Sequence, residues 1–435
     1  MERLLQYIWK YRLYADAELR TVEGLPVGVI DPGLQNVDAG PDFFNAKIRI
    51  DGAVWAGNVE IHRRASEWQT HGHDRDPAYD SVILHVVTEC DVPARRSDGK
   101  AIPHLVIHVP PAMRQQMDWL LARDTALPCA ERIREVEPVH VAAWMAALLT
   151  ERLERKTCGV FDLLAQYADD WNEVFYVMLT RSFGFGVNGD AFEWLARSLP
   201  FKHILRQRGN GLRIEALLFG QAGLLAGDGF DDYHRALQQE YDFLQKKYDL
   251  HPLDGRLMKS LRTRPFNFPD LRLAQLAAVW ANGDMLFSKA LECNGVHALH
   301  DSLNVSLPEY WDTHCHFKSI SPLRKKTIGV NAAHSVVINA VVPVLFAYGE
   351  KHNLPAYSAR ALQLLESIPP ERNSPVSTFA TAGICARSAF DSQALIQLRR
   401  EYCEKKKCLY CRIGFRLLLN SRRGDTASAG KCMNK

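Results

Sequence analysis

An α/β domain over residues 1–112, followed by a larger all-α domain over residues 113–435, is the architecture this 435-residue sequence predicts. Three observations carry it. Runs rich in β-branched and aromatic residues crowd into the first 110 positions, and beyond Pro110-Pro111 apolar residues recur at three- and four-residue steps. The chain is also too long for one ordinary core.

The elements follow in order. Residues 2–19 carry the periodicity of an amphipathic helix, and GLPVGVID, FFNAKIRI and AVWAGNVEI read as strands. Asp51-Gly52 joins the last two, a dipeptide suited to the positive φ of a tight hairpin turn. SEWQTHGHDRDPAYD forms a short helical or irregular segment, and SVILHVVTE and HLVIHVP are strands separated by the turn-rich PARRSDGKAIP. The order is α-β-β-β-α-β with one further strand. VHVAAWMAALLTERLERK, WNEVFYVMLTRSFG, DAFEWLARSLP, YHRALQQEYDFLQKKYD and LRLAQLAAVWANGDMLFSKALE are helical, and the helical domain allows two subdomains that part near residues 295–325.

Hydrophobic residues at 47% and charged residues at 24% exclude disordered and fibrous classes. Charge falls within every turn of the N-terminal segment, unlike a secretory signal. The most apolar later run, residues 335–349, is interrupted by Pro343 and falls short of the roughly 20 residues of a membrane span. A soluble, cytoplasmic protein with no membrane partner is expected. Ten cysteines are too sparse for a disulfide scaffold and point to thiols or metal ligands. Eleven Lys or Arg residues against three acids from residue 399 onward make a basic end, suited to phosphate or to plain solvation.

Asp42, Glu60 and His62 bracket the hairpin. Cleavage of phosphodiesters at a metal needs oxygen ligands for the ion, an acidified water and a nearby base or cation. With a two-residue turn Asp42 falls opposite Ile61, on the other face from Glu60. A three-residue turn, or one extra residue at Gly57, sets Asp42 opposite His62 with Glu60 diagonal. Downstream, His71 and His73 add nitrogen donors and stand as accessory bases or transition-metal ligands, while His85 reads as a structural histidine. Gly184, Gly186 and Gly189 follow a helical pattern, so their G-x-G-x-x-G spacing fails as a dinucleotide site.

Pro41-Asp42, then Glu60-Ile61-His62, within that element order resembles the restriction-endonuclease-like, or PD-(D/E)XK, nuclease superfamily. The resemblance implies that Asp42 and Glu60 hold a catalytic Mg²⁺ or Mn²⁺ and that DNA or RNA is the substrate. His62 stands where the superfamily has lysine, so Lys47 on the neighbouring strand is the candidate replacement cation. Two other readings stay open: a nuclease-like nucleic-acid-binding or scaffold protein without activity, and a hydrolase of another class built on the His/Asp-rich loop. The whole chain also resembles an uncharacterised bacterial family known only as a domain of unknown function, through GPDFFNAKI, GNVEIH, YDSVILHVV, DSQALIQLRREYC and CLYCRIG.

Cys403, Cys408 and Cys411 form C-x4-C-x2-C, with Cys385 the expected fourth thiolate of a zinc or iron–sulfur site. Some nucleases of the resembled superfamily carry an iron–sulfur cluster beside the catalytic domain. His314, Cys315 and His316 read as loop residues.

Overall fold

The computed structural model describes residues 2–419 apart from 15, 17, 37, 123–124, 262, 283–285 and 294. The chain divides into two compact units, Met1–Trp144 together with Arg399–Lys435, and Met145–Leu398.

The first unit is built on a mixed sheet. Helix α1 (Glu2–Tyr11), shorter than its sequence periodicity suggested, turns Leu4, Leu5, Ile8 and Trp9 into the core. The strands are β1 (Leu19–Arg20), β2 (Pro26–Asp31), β3 (Leu34–Gln35), β4 (Phe43–Ile50), β5 (Ala53–Ile61), β6 (Val82–Val87) and β7 (His104–Val106), with the short helix α2 (Glu67–Thr70) between β5 and β6. They lie in the order β1-β2-β4-β5-β6-β7, with β3 pairing the outer end of β4. Pairings up to β4–β5 are antiparallel, whereas β5–β6 and β6–β7 are parallel. Strand β6 is buried along its whole length, as expected of an apolar run covered on both faces.

One face of the sheet, with Phe43, Ile48, Val59, Ile61, Leu84 and Val86, packs against α1 and against helix α3 (Pro111–Ala122) through Met113, Met117 and Leu120. Leu409 and Leu418 complete the same core. Pro110-Pro111 therefore marks no domain boundary: Pro111 opens α3, where a missing N–H costs nothing, and α3 belongs with the sheet. The division falls after Trp144 instead of near residue 112. On the other face Trp68 of α2 packs with Tyr79, Val82, Ala94 and Ile102, and its indole N–H donates to the Arg95 carbonyl at 2.9 Å.

The hairpin register decides what the site can be. From Ile50↔Ala53 to Ala46↔Gly57 the pairing follows the two-residue turn, but Phe43 then pairs with Val59. The extra residue lies in β4, at Asn45, whose φ of 57° is left-handed. Asn45 is among the few L-residues that tolerate this region, and its N–H donates to the Asn58 side chain. Gly57 is not the bulge. It pairs regularly with Ala46 and is glycine because a Cβ there would lie 2.4 Å from Ile83 Cγ2 and 2.8 Å from the Ser81 carbonyl.

The second unit is helical. Helix α4 (Pro138–Gln166) runs across the division, and α5 (Trp171–Phe183), α6 (Gly189–Ser198), α7 (Phe201–Leu205), α8 (Gly211–Gln221), α9 (Asp232–Tyr248) and α10 (Pro269–Asn282) follow. Met145–Leu398 forms one compact unit, without the expected parting near 295–325. His314–His316 and Ser319–Ile320 form a small two-stranded ribbon, an exception to the all-α expectation, in which His314 stacks on Tyr310. Residues Val330–His352 make one continuous helix, long and apolar enough to cross a membrane, with 67% of its apolar window buried inside the unit. Pro343 does not end this helix, because a π-helical segment over Val337–Val341 takes up the disturbance just before it.

Candidate metal centre

The Asn45 bulge moves the register opposite to the expected direction and sets Asp42 directly across from Glu60. The Asp42 N–H donates to Glu60 Oε2 at 2.9 Å. Asp42 Oδ2 accepts from the Ile61 N–H at 3.0 Å, and Asp42 Oδ1 accepts from Gln6 Nε2 of α1 at 2.7 Å. Both acids thus stand at the same end of the hairpin, within reach of α1.

Three histidines meet them there. Glu60 Oε1 lies 3.5 Å from His62 Nε2 and 3.4 Å from His73 Nε2, and His71 Nδ1 lies 3.1 Å from His62 Nε2. Donor atoms of His62, His71 and His73 all fall within 4.8 Å of one another. Glu2 Oε1 adds a carboxylate oxygen 3.9 Å from His62 Nε2. Local geometry explains the convergence. Trp68 anchors α2 over the sheet, Gly72 at φ 77° reverses the chain between His71 and His73, and His73 is held by its N–H bond to the Trp68 carbonyl and by stacking on Tyr79 at 3.7 Å. His71 is exposed while Glu60, His62 and His73 are buried, so the cluster opens to solvent on one side.

Behind the cluster, His62 Nδ1 and His85 Nε2 are 2.9 Å apart. A lone pair at His62 Nε2 requires that Nδ1 carry the shared proton, the arrangement by which outer partners orient metal-binding imidazoles. His85 stacks edge-on with His104, whose Nε2 accepts from the Ala94 N–H at 2.9 Å. Burial lowers His62 to about 3 and His85 to about 2, keeping both rings neutral at physiological pH, and burial also lowers His104. Burial, then the Glu60 charge, pushes Asp42 up to about 8. Glu2 is raised chiefly by burial.

These residues fit a divalent transition metal. Ligand atoms about 2.1 Å from one ion lie about 3.0–4.2 Å from one another, which brackets the separations of 3.1, 3.4 and 3.5 Å. Imidazole nitrogens joined by carboxylates suit Mn²⁺ or Zn²⁺ better than Mg²⁺, which prefers an all-oxygen shell. His62, His71, His73 and Glu60 form the inner group, while both Asp42 oxygens already accept hydrogen bonds.

Lys47 does not join them. It is exposed and pairs with Ala56, four residues along β5 from Glu60 and hence roughly 13 Å away. Among the described residues no Lys or Arg contributes to the Asp42 shift. The acids of the loop are structural: Asp76 caps the turn Pro77–Tyr79, and Asp80 accepts from Ser97 N–H and Oγ. Glu2, Gln6 and His104 escaped the sequence reading because packing, not spacing, delivers them. His85 was read as structural, and its inward position in β6 was the available signal of a second role.

Cys385 is exposed and belongs to the second unit, whereas the other predicted thiols belong to the first. In its place Cys129 approaches the other three: burial, together with the neighbouring Cys411 and Cys408, raises the Cys129 thiol to about 12, and Cys129 in turn acts on Cys403.

No curated protein and no solved structure shows significant similarity to the chain. A family model described as "Protein of unknown function (DUF2851)" matches residues 2–374, a span that includes every residue of the histidine–carboxylate cluster and ends before Cys403. The chain belongs to this DUF2851 family.

Proposed function

We propose that the protein is a divalent-metal-dependent hydrolase of phosphodiesters, with DNA or RNA as substrate, centred on Glu60, His62, His71 and His73. The observation that supports it most is the Asn45 bulge. That one inserted residue brings Asp42 beside Glu60, which in turn reaches His62 and His73, at the end of a hairpin whose second strand continues through a helical crossover into a parallel strand. This arrangement is consistent with a restriction-endonuclease-like core. A bound ion would supply a water acidified toward neutral pH. The chain's own groups supply the rest: His85 orients His62, Gln6 and the Ile61 N–H fix Asp42, and solvent-exposed His71 leaves the ion open to substrate on one side. Arg63, exposed immediately after His62, is available to a phosphate, while Arg64 is paired with Glu89 at 3.1 Å.

The test is metal analysis of the purified protein, with labelled single- and double-stranded DNA and RNA offered under Mn²⁺, Zn²⁺ and Mg²⁺. Wild type should bind one transition metal per cluster and cleave at least one substrate. Glu60→Gln should lose the metal and reduce cleavage by about 100-fold or more. Metal binding with nucleic-acid retention but no cleavage would favour the noncatalytic module, for which the lack of a lysine at the His62 position speaks. Turnover of a non-nucleic-acid ester would favour a hydrolase of another class.

A further inference from the structure

Two stretches of the first unit, far apart in sequence, bring four cysteines together. Residues 399–419 return to the sheet unit and lay Leu409 and Leu418 into its core, with Cys408 packed against the same cluster as Cys129. Helix α3 is the common floor. On one side Arg132, three residues beyond Cys129, sits over the Trp119 ring and bonds Gln116. On the other, Met117 lines a cavity with Lys406, Lys407, Leu409 and Tyr410. Trp144 pins the cysteine loop by contacting Tyr402 edge-on and Arg412 face-on. The loop is tightly wound: the Cys411 N–H donates to the Cys408 carbonyl, and a Cβ on Gly414 would lie 2.1 Å from that same oxygen.

The thiols sense one another. Burial raises Cys403 strongly, and Cys411, Cys129 and Cys408 add to it in that order. Burial raises Cys408 to about 11, again with help from Cys411. None of the described cysteines is in a disulfide. Among the described residues only the histidine cluster has three donors that all lie within 4.8 Å of one another, so no three of the four sulfurs are gathered as closely as the about 3.8 Å edges of a zinc–thiolate tetrahedron require. Seven Lys or Arg residues against two Glu between residues 399 and 419 offset the negative charge of a ligated group.

We propose that Cys129, Cys403, Cys408 and Cys411 ligate an iron–sulfur cluster that fastens residues 399–419 to the sheet unit. Uptake of a preassembled cluster is a ligand exchange. Four S–H bonds break, their protons pass to the departing carrier thiolates or solvent, and four Fe–S bonds form with no net electron transfer. The proposal is independent of the hydrolase reading.

Anaerobically purified protein should contain about four iron and four sulfide per chain and absorb visible light. Cys129→Ser should lose the cluster and melt at lower temperature, and Cys385→Ser should keep both. Should Cys129→Ser prove insoluble, maleimide labelling of native wild type decides: Cys158 and Cys385, both exposed, should be modified while Cys129, Cys403, Cys408 and Cys411 stay protected until the cluster is removed. Zinc in place of iron, a cluster retained in Cys129→Ser or lost in Cys385→Ser, or Cys129 labelled as fast as Cys385 would each overturn it.

Discussion

Each compact unit buries a carboxyl group whose pKa burial raises, and the two are used differently. Asp42 stands beside a second carboxylate and a ring of imidazoles that opens to solvent at His71. Glu215 of α8 is sealed in the helical unit, where Trp311 Nε1 donates to Glu215 Oε1 at 2.9 Å and Tyr233 Oη donates to Oε2. Burial pushes Glu215 up to about 7. Its neighbours are hydrogen-bond donors with aromatic bodies, Tyr233 edge-on to Trp311 and Trp311 stacked on Phe219. The contrast teaches that a perturbed acid alone marks no chemistry. What distinguishes the Asp42 region is convergence of several lone pairs on one accessible point.

The sharpest way to break that comparison is through the pH dependence of stability. Glu215 ionises near 4.5 when unfolded and near 7 when folded. Between those values the unfolded chain binds fewer protons than the folded one, so stability falls as pH rises from about 4.5 to 7, by on the order of 3 kcal/mol in all. Glu215→Gln, which stays neutral and still accepts from Trp311, should flatten that slope and be the more stable form at pH 8. Denaturant unfolding at pH 5 and pH 8 measures it, and an unchanged slope would mean that Glu215 is not the sealed acid described. Metal content should not change.

At the histidine cluster the corresponding change is His85→Phe, which keeps a buried ring but removes the partner of His62 Nδ1. Metal affinity, read by chelator competition, should fall about 10- to 100-fold. Next in size is the bulge. Asn45→Val puts a β-branched residue at positive φ and should cost about 1–2 kcal/mol in thermal or denaturant unfolding, whereas Asn45→Gly should cost almost nothing. The smallest effect belongs to Lys47→Ala: exposed and remote from Glu60, Lys47 should leave metal affinity and any cleavage rate within about twofold, at the limit of what a surface charge does.

Much of the hairpin was legible in the sequence. Alternating apolar residues and Asp51-Gly52 located the strands and the turn, and the acids with His62 were recognisable as a group. The side on which they meet was not legible, because glycine is the obvious bulge residue and Gly57 serves another purpose, yielding space to Ile83. Asn45 signalled its role only through its tolerance of left-handed backbone. His71 and His73 could be named from their loop, while Glu2 and Gln6 reach the site through helix packing that no local spacing encodes. Cys129 is the extreme case. More than two hundred residues separate it from Cys403, so spacing pointed to nearer Cys385, and the same distant return of Leu409 and Leu418 hid the true extent of the sheet unit.

That return sets a timetable for synthesis. After the ribosome has made α3 it must produce the entire Met145–Leu398 stretch before Leu409 and Leu418 exist, which at about 5–20 residues per second takes roughly 13 to 50 seconds. Throughout that interval the sheet's apolar face lacks two of its core side chains. A nascent-chain complex stalled before residue 399 is therefore the species in which that face stands most open to chaperones and to misassociation.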